Sequence, residues 1–345
     1  MKAIGFSQPL AITEPSSLLD IELPQPVATG RDLLVKVAAI AVNPVDFKIR
    51  QNATPEAGEH RVLGWDAVGE VVATGDQVTD YNVGDKVYYA GDLTRQGSNA
   101  EFQLVDERIV GKKPKTLSDI EAAALPLTSI TAWELLFEHL NVIHKDSVDQ
   151  TLNPQETQET LLIVGASGGV GSILIQLAKS LTNATVIGTA SRKQSQQWVK
   201  SLGADYVIDH SQPLQPQVQA LGIDNVTHVA SLTHTDSYFE QYIELLAPFG
   251  KIGMIDDPSS LDVMKMKPKS LSLHIEFMFA RSMFKAKDMD AQRNLLNLVA
   301  DLVDSGHLKT TFGKHLGNIN AENLKQAHAE LESGKSIGKI VLSGF

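Results

Sequence analysis

The sequence predicts an α/β protein in two parts, a β-rich domain followed by a doubly wound parallel sheet, and three observations carry that expectation. Leu161-Leu162-Ile163-Val164 is an apolar strand that breaks into the turn Gly165-Ala166-Ser167-Gly168-Gly169-Val170-Gly171 and opens directly into a helix. Strand and helix patterns then alternate as far as Ile255, the order from which parallel sheets are built. Residues 1 to 126 read differently, as short strand-like runs separated by glycine turns.

Taken in order, Leu33–Ile40, Ala67–Val72 and Asp85–Tyr89 are strand-like, with turn signals at Gly75-Asp76 and Val83-Gly84-Asp85. Ser118 to Leu140 reads as helix, interrupted near Leu125-Pro126-Leu127-Thr128. The polar stretch from Asp149 to Thr160, with Pro154, reads as a surface loop. After the glycine turn, Val170, Ile173, Leu174, Leu177, Ala178 and Leu181 recur at helical spacing, and Ala184–Thr189 is a second strand. Further strands are expected at Tyr206–Asp209, His228–Leu232 and Lys251–Ile255, with a helix from Ser237 to Leu246 ended by Pro248 and Gly250. A helix over 290–305 and a strand at Gly338–Leu342 complete the reading, which divides the chain into 1–126, 127–280 and a return, 281–345, to the first domain.

Composition narrows the function. At 345 residues the chain exceeds one ordinary core. A net charge of −11 argues against general binding to nucleic acid or anionic membrane. The absence of cysteine removes disulfides, a thiolate nucleophile and cysteine-ligated zinc, and it fits a reducing cytoplasm, the expected location. No charged segment precedes an apolar one at the N-terminus, so no secretory signal is expected. Leu161 to Ala178 has the length of a membrane span, but its glycines, serines and Gln176 assign it to the turn and its helix.

The turn has the chemistry of a phosphate site. Glycine lets the backbone approach a pyrophosphate, and the free amides and dipole of the following helix favour its charge. Ser167, Gly168, Gly169, Val170 and Gly171 are the candidate ligands, and strand, helix and strand together make a dinucleotide fingerprint. Aligned to G-x-G-x-x-G, Ala166 takes the first place and Gly168 and Gly171 the others. The alternative is a tight turn without a ligand.

The end of the second strand selects the cofactor. NAD sites place an acid there for the ribose hydroxyls. Gly188 to Gln197 contains none, and Ser191, Arg192 and Lys193 stand at the expected place. A hydroxyl and a guanidinium suit a 2′-phosphate, so NADPH is expected. The alternative makes Arg192 and Lys193 solvated residues at a helix start. In a doubly wound sheet the ligand lies at the carboxyl ends of the strands, where Ser191, His210, Leu232 and Ile255 fall.

Val42-Asn43-Pro44-Val45-Asp46, Leu63-Gly64-Trp65-Asp66-Ala67-Val68-Gly69, Tyr81–Val87, Ala123-Ala124-Leu125-Pro126 with Thr128–Ala132, and the glycine turn together carry a family likeness. The chain resembles the zinc-independent medium-chain dehydrogenases/reductases, close to the quinone oxidoreductases, and in wording the zinc-type alcohol dehydrogenase-like subgroup. The likeness implies a GroES-like catalytic domain joined to a Rossmann domain, with the active site between them.

The same likeness aligns Asn43 with a zinc-ligating Cys, and Trp65-Asp66 with a His-Glu pair. An indole has no lone pair for zinc and a neutral amide is a poor ligand, so no zinc is expected. His60, His139, His144, His307 and His315 show no ligand spacing. Without a Lewis acid, the expected reactions are two-electron reduction of a quinone or hydride addition to the β-carbon of an enone. No general acid stands out. An alcohol dehydrogenase, or a weakly active NADPH-binding structural or sensor protein, are the alternatives.

By resemblance, Asn43 and Phe47 line the nicotinamide side and Trp65 forms an aromatic wall; their alternatives are a turn, core and interdomain packing. Asp46 matches an acid that orients a metal-binding His, and without that His it is expected to pair with a neighbouring base. Thr128 is expected at the cofactor, or as a helix-capping hydroxyl. Lys339 passes near the cofactor, or is an exposed lysine before an edge strand. His210 is expected at the 2′-phosphate, or as a lone surface residue. Leu271–Ile275 is expected to pair across a two-fold axis in a homodimer.

Overall fold

The computed structural model describes residues 1–147 and 158–345. Most of the expected loop at 149–160 therefore lies outside the described residues. The chain forms two compact units, Met1–Ile130 with Phe279–Phe345, and Thr131–Met278. The boundaries at 130/131 and 278/279 compare with 126/127 and 280/281 read from the sequence.

The first unit begins with β1 (Lys2–Phe6), β2 (Leu19–Glu22), β3 (Asp32–Ala41), helix α1 (Pro44–Asn52), β4 (Arg61–Val62), β5 (Ala67–Thr74), β6 (Lys86–Tyr89), β7 (Phe102–Asp106) and β8 (Val110–Lys112). Leu33, Val35, Val37, Ala39 and Ile40 of β3 are all buried, which makes it the central strand of the unit. Helix α1 was not read from the sequence. It starts at Pro44, where the missing amide costs nothing, and Asn43 caps it. The interruption at 125–128 is a break between two helices, α2 (Asp119–Ala123) and α3 (Pro126–Trp133). Ser118 and Glu121 form a capping box at the start of α2, and Pro126 opens α3.

The second unit carries β9 (Thr160–Val164), α4 (Gly169–Leu181), β10 (Thr185–Thr189), α5 (Lys193–Ser201), β11 (Tyr206–Ile208), α6 (Leu214–Ala220), β12 (Val226–Ser231), α7 (Thr235–Leu245), β13 (Leu246–Met254) and β14 (Ser272–Ile275). Its parallel sheet runs β11-β10-β9-β12-β13-β14. Chain order reverses between β9 and β12, the switch point at which such sheets bind ligands. Register sets Leu162 beside Ile187 and Val229, and Val229 beside Ile252, so one row of apolar side chains crosses four strands. Every residue of β9 is buried, as expected when helices cover both faces.

Another element differs from expectation. Pro248 and Gly250 do not follow a helix into a loop; they lie inside β13, and the pairing slips between Val226 and His228. Phe249, at φ +66° and exposed, lies in the stretch of β13 between the Leu246 and Lys251 pairings. The chain then returns to the first unit through α8 (Ala280–Met283), α9 (Ala291–Asp304), β15 (Phe312–His315), α10 (Ala321–Glu332) and β16 (Lys339–Ser343). These complete a sheet ordered β15-β16-β3-β5-β6-β8, with β7 also paired to β3.

Leu161 to Ala178 is a strand, a turn and the first part of α4 rather than one helix. A different stretch, Asp119–His139, is apolar and long enough to cross a membrane by composition, and 78% of its window is buried inside the protein.

Candidate active site

In the second unit, β9 ends at Val164 and the chain turns at Gly165, whose φ of +83° favours glycine. The left-handed position is thus Gly165, one residue before the place the alignment gave to Ala166. Ala166 is buried, and its Cα lies 2.6 Å from where a side chain on Gly171 would begin. Gly171 therefore lets α4 seat against the turn. Gly168 is different, since a Cβ there would meet only the Gly165 carbonyl at 3.5 Å, leaving the outer side of the bend open. Gly169, Val170 and Gly171 form the first turn of α4, where amides have no partner within the helix. The Ser172 hydroxyl donates to the Gly168 carbonyl at 2.7 Å and accepts from the Trp198 indole at 2.8 Å, which fixes the start of the helix. An open glycine bend and a row of outward donors fit a pyrophosphate.

Beside this turn, the carboxyl ends of β10 and β11 gather basic groups. Ser191, Arg192 and Lys193 are exposed, and Arg192 begins α5 through its backbone, donating to the Ser195 hydroxyl and accepting from it. The His210 Nδ1 lies 3.3 Å from the Thr189 hydroxyl, and the Tyr238 hydroxyl donates to the His210 carbonyl. Burial lowers the His210 pKa; Asp209 opposes this, while the charges of His234 and Arg192 lower it further. Asp209 accepts from the Ser211 amide. Leu232 and Ile255 follow β12 and β13, half-buried, with amides bonded to Val164 and Ser231.

Of the residues that sequence placed at the reacting side, Asn43 belongs to a buried polar network with Asp66 and Lys339. The Lys339 ammonium donates to the Val42 carbonyl at 2.9 Å, to Asp66 Oδ2 at 2.8 Å and to the Asn43 side-chain oxygen. The Asn43 amide nitrogen donates to Asp66 Oδ2 at 2.9 Å, and the Leu127 amide donates to Asp66 Oδ1 at 2.7 Å. Asn43, Asp66 and Lys339 are 1%, 0% and 4% exposed. Asp46 is buried; its Oδ2 accepts the Asn43 backbone amide at 2.7 Å, and the Gly64 amide also bears on the carboxyl. Burial pushes the Asp46 carboxyl up to about 7, against the Asn43 amide and Lys339, with Asp66 adding to the rise. Burial also raises Asp66, and Lys339 foremost opposes it.

Three expectations change here. Lys339 is not an exposed lysine before an edge strand, because β16 lies between β15 and β3 and buries it. Asp46 pairs with the amide of its own helix cap rather than with a neighbouring base. Asp66, which sequence treated only as one half of a lost pair, is the hub of the network; an acid inside the apolar run from Leu63 to Gly69 was the available signal, since such a group needs a buried partner. Trp65 is buried, with its indole donating to the Asp92 carbonyl at 3.4 Å and its ring edge-to-face with Phe279 at 6.2 Å. Phe47 is half-buried on α1, and the Thr128 hydroxyl donates within its own helix to Leu125 at 3.2 Å.

Residues 29–115 match the family model of the alcohol dehydrogenase GroES-like domain, and 202–342 that of zinc-binding dehydrogenases. The chain is 40% identical over 347 residues to a zinc-type alcohol dehydrogenase-like protein of Staphylococcus aureus (strain MSSA476), covering 99% of this chain and 100% of that one. The chain belongs to the medium-chain dehydrogenase/reductase superfamily. It is also 32% identical to a chloroplast envelope quinone oxidoreductase homolog of Arabidopsis thaliana, over 95% of this chain and 94% of that one. A crystal structure of a putative zinc-dependent alcohol dehydrogenase protein from Rhizobium etli CFN 42 superimposes with a TM-score of 0.94 at 53% identity, covering 100% of this chain and 98% of that one. A β-rich GroES-like domain and a Rossmann sheet are the two parts this superfamily membership entails, and the chain is an oxidoreductase.

The zinc in those names can be tested against the donors present. Asn43 offers an amide oxygen that already accepts from Lys339, Trp65 offers no lone pair, and Asp66 offers a carboxylate engaged by three donors. Among the described residues, no group of three His, Cys, Asp or Glu is placed to hold a metal. A positive ammonium inside the network repels a dication further. This medium-chain dehydrogenase/reductase has donors that do not fit zinc.

Proposed function

We propose that this oxidoreductase uses NADPH to reduce a quinone or an α,β-unsaturated carbonyl by direct hydride transfer, without zinc. The observation that supports the reading is the Lys339 ammonium bonded to Asn43 and Asp66, which occupies donors that a metal would need in order to polarise an isolated alcohol or carbonyl oxygen. A conjugated acceptor needs less polarisation, because the incoming charge spreads through it. The quinone oxidoreductase homolog among the relatives supports that substrate class.

NADPH, when bound, supplies the hydride, and a proton from water completes hydroquinone or ketone. The amides of Gly169, Val170 and Gly171 hold the pyrophosphate at the Gly168 bend. Ser191, Arg192 and His210 hold the 2′-phosphate. Leu232 and Ile255 bound the cofactor at the ends of their strands. In this reading Asn43 and Phe47 serve the nicotinamide side, Trp65 supplies the aromatic wall, and Thr128 serves the cofactor. The active form is a homodimer paired through β14, the edge of the parallel sheet, where Ile275 is 64% exposed; a monomer on gel filtration contradicts the dimer.

Steady-state assays with NADPH and NADH against a small quinone, an enone and an alcohol, with and without chelator, test the proposal. Turnover of quinone or enone with NADPH, insensitive to chelator, is the expected result. Alcohol oxidation that chelation abolishes refutes it in favour of a zinc alcohol dehydrogenase. NADPH binding without turnover refutes it in favour of a structural or sensor role.

A further inference from the structure

The Lys339 ammonium has the surroundings of a bound ion. Three oxygens close on it, the Val42 carbonyl, the Asn43 amide and the Asp66 carboxylate, brought by two segments of chain distant from β16. Two of these are neutral dipoles and one is anionic. A second acid, Asp46, is buried beside the same network and accepts the Asn43 backbone amide. The donors are all oxygen, the set that compact hard cations and ammonium groups prefer and that zinc, suited to sulfur and imidazole, does not. None of this is exposed, so an ionised Asp66 depends on a positive charge held inside the protein.

We propose that this part of the first unit is a cation pocket whose resident cation is Lys339, and that truncating the lysine turns it into a binding site for a free alkylammonium. The proposal deepens the zinc-free reading of the same residues and rests on it. Lys339 is then a positioning residue. Its charge keeps Asp66 ionised, and Asp66 in turn holds the Asn43 side chain and the Leu127 amide in place.

Thermal unfolding of the full chain tests this without any turnover. Lys339→Ala removes a fragment equal in size to propylammonium. The variant is expected to melt below the wild type and to regain a substantial part of the lost Tm in propylammonium chloride. Neither 1-propanol nor sodium chloride at matched ionic strength is expected to restore it, and the wild type is expected not to respond. Equal responses of variant and wild type, or equal effects of propylammonium and propanol, overturn the proposal. If the alanine variant does not fold, Lys339→Met is compared with Lys339→Met combined with Asp66→Asn. The double variant is expected to melt higher than the single, because both buried charges are gone, and a double variant no more stable than the single overturns the proposal. Because the readout is melting, a protein that reduces no quinone leaves the result interpretable, and a failed rescue leaves the turnover assays to stand on their own.

Discussion

Substituting alanine for Gly168 and for Gly171 is expected to produce opposite defects, though only two residues separate them. A methyl on Gly171 would sit 2.6 Å from the Ala166 Cα and 2.7 Å from its carbonyl, and backbone must move to admit it. Overpacking of this kind costs about 1–3 kcal/mol. Alanine recovers about 1 kcal/mol of that through its helix preference. The expected net loss for Gly171→Ala is therefore up to about 2 kcal/mol, with cofactor affinity falling only as far as the turn is displaced. A methyl on Gly168 meets nothing nearer than 3.5 Å, so folding stability is expected within about 1 kcal/mol of wild type, the scale of a changed helix cap. The methyl points to where the pyrophosphate must come close. Loss of one charge-assisted hydrogen bond there is worth about 1.5–3 kcal/mol, or roughly a 10- to 150-fold weaker Kd for NADPH. Urea unfolding and fluorescence titration with NADPH measure the two quantities on the same samples. A folded Gly168→Ala variant that binds NADPH as the wild type does would refute the placement of the pyrophosphate at this bend.

Arg192→Ala is expected to raise the KM for NADPH by about 1–3 kcal/mol and to leave that for NADH nearly unchanged; equal effects on both remove Arg192 from the 2′-phosphate. The His210 pKa lies below its ordinary value, so a bound phosphate favours the protonated ring, and NADPH affinity is expected to strengthen as pH falls from neutrality. His210→Gln should flatten that dependence in titrations at several pH values, and an unchanged slope would exclude His210 from the contact. Asp46 is raised to about 7 from an unfolded value near 3.8, so its contribution to stability is complete below the unfolded value and is lost as pH rises through 7. Asp46→Asn keeps an acceptor for the Asn43 amide, and its stability relative to wild type is expected to grow between pH 4 and 7.5 by at most about 1.4 kcal/mol per pH unit. Denaturation curves in which the two proteins keep a constant difference would contradict the buried carboxyl.

What the sequence made legible was local. The apolar run of β9, the helical stripe of α4 and the alternation after it are periodic patterns, and a parallel sheet buried on both faces displays them openly. The glycine turn could be read because its chemistry is contained in seven consecutive residues. Its detail could not, since the choice of Gly165 over Ala166 for the left-handed position depends on how α4 seats against Ala166. Pro248 looked like a stop signal, and only pairing with β12 shows that it sits in a bulged strand. The Lys339 network was least legible. Lys339 is 296 residues from Asn43 and 273 from Asp66, and nothing in the spacing of a lone lysine announces that two strands of one sheet bring it to a buried acid.

The claim that a reduced nicotinamide acts on a conjugated acceptor without metal is tested most directly by isotope transfer in metal-depleted protein. Chelator-treated enzyme would be given NADPH deuterated at the transferring position of the nicotinamide, together with an enone, and the product read by mass spectrometry and NMR. The account predicts deuterium at the β-carbon of a saturated ketone, formed at the rate of untreated enzyme. Deuterium at the carbonyl carbon of an alcohol, or activity that returns only when zinc is added back, would contradict it.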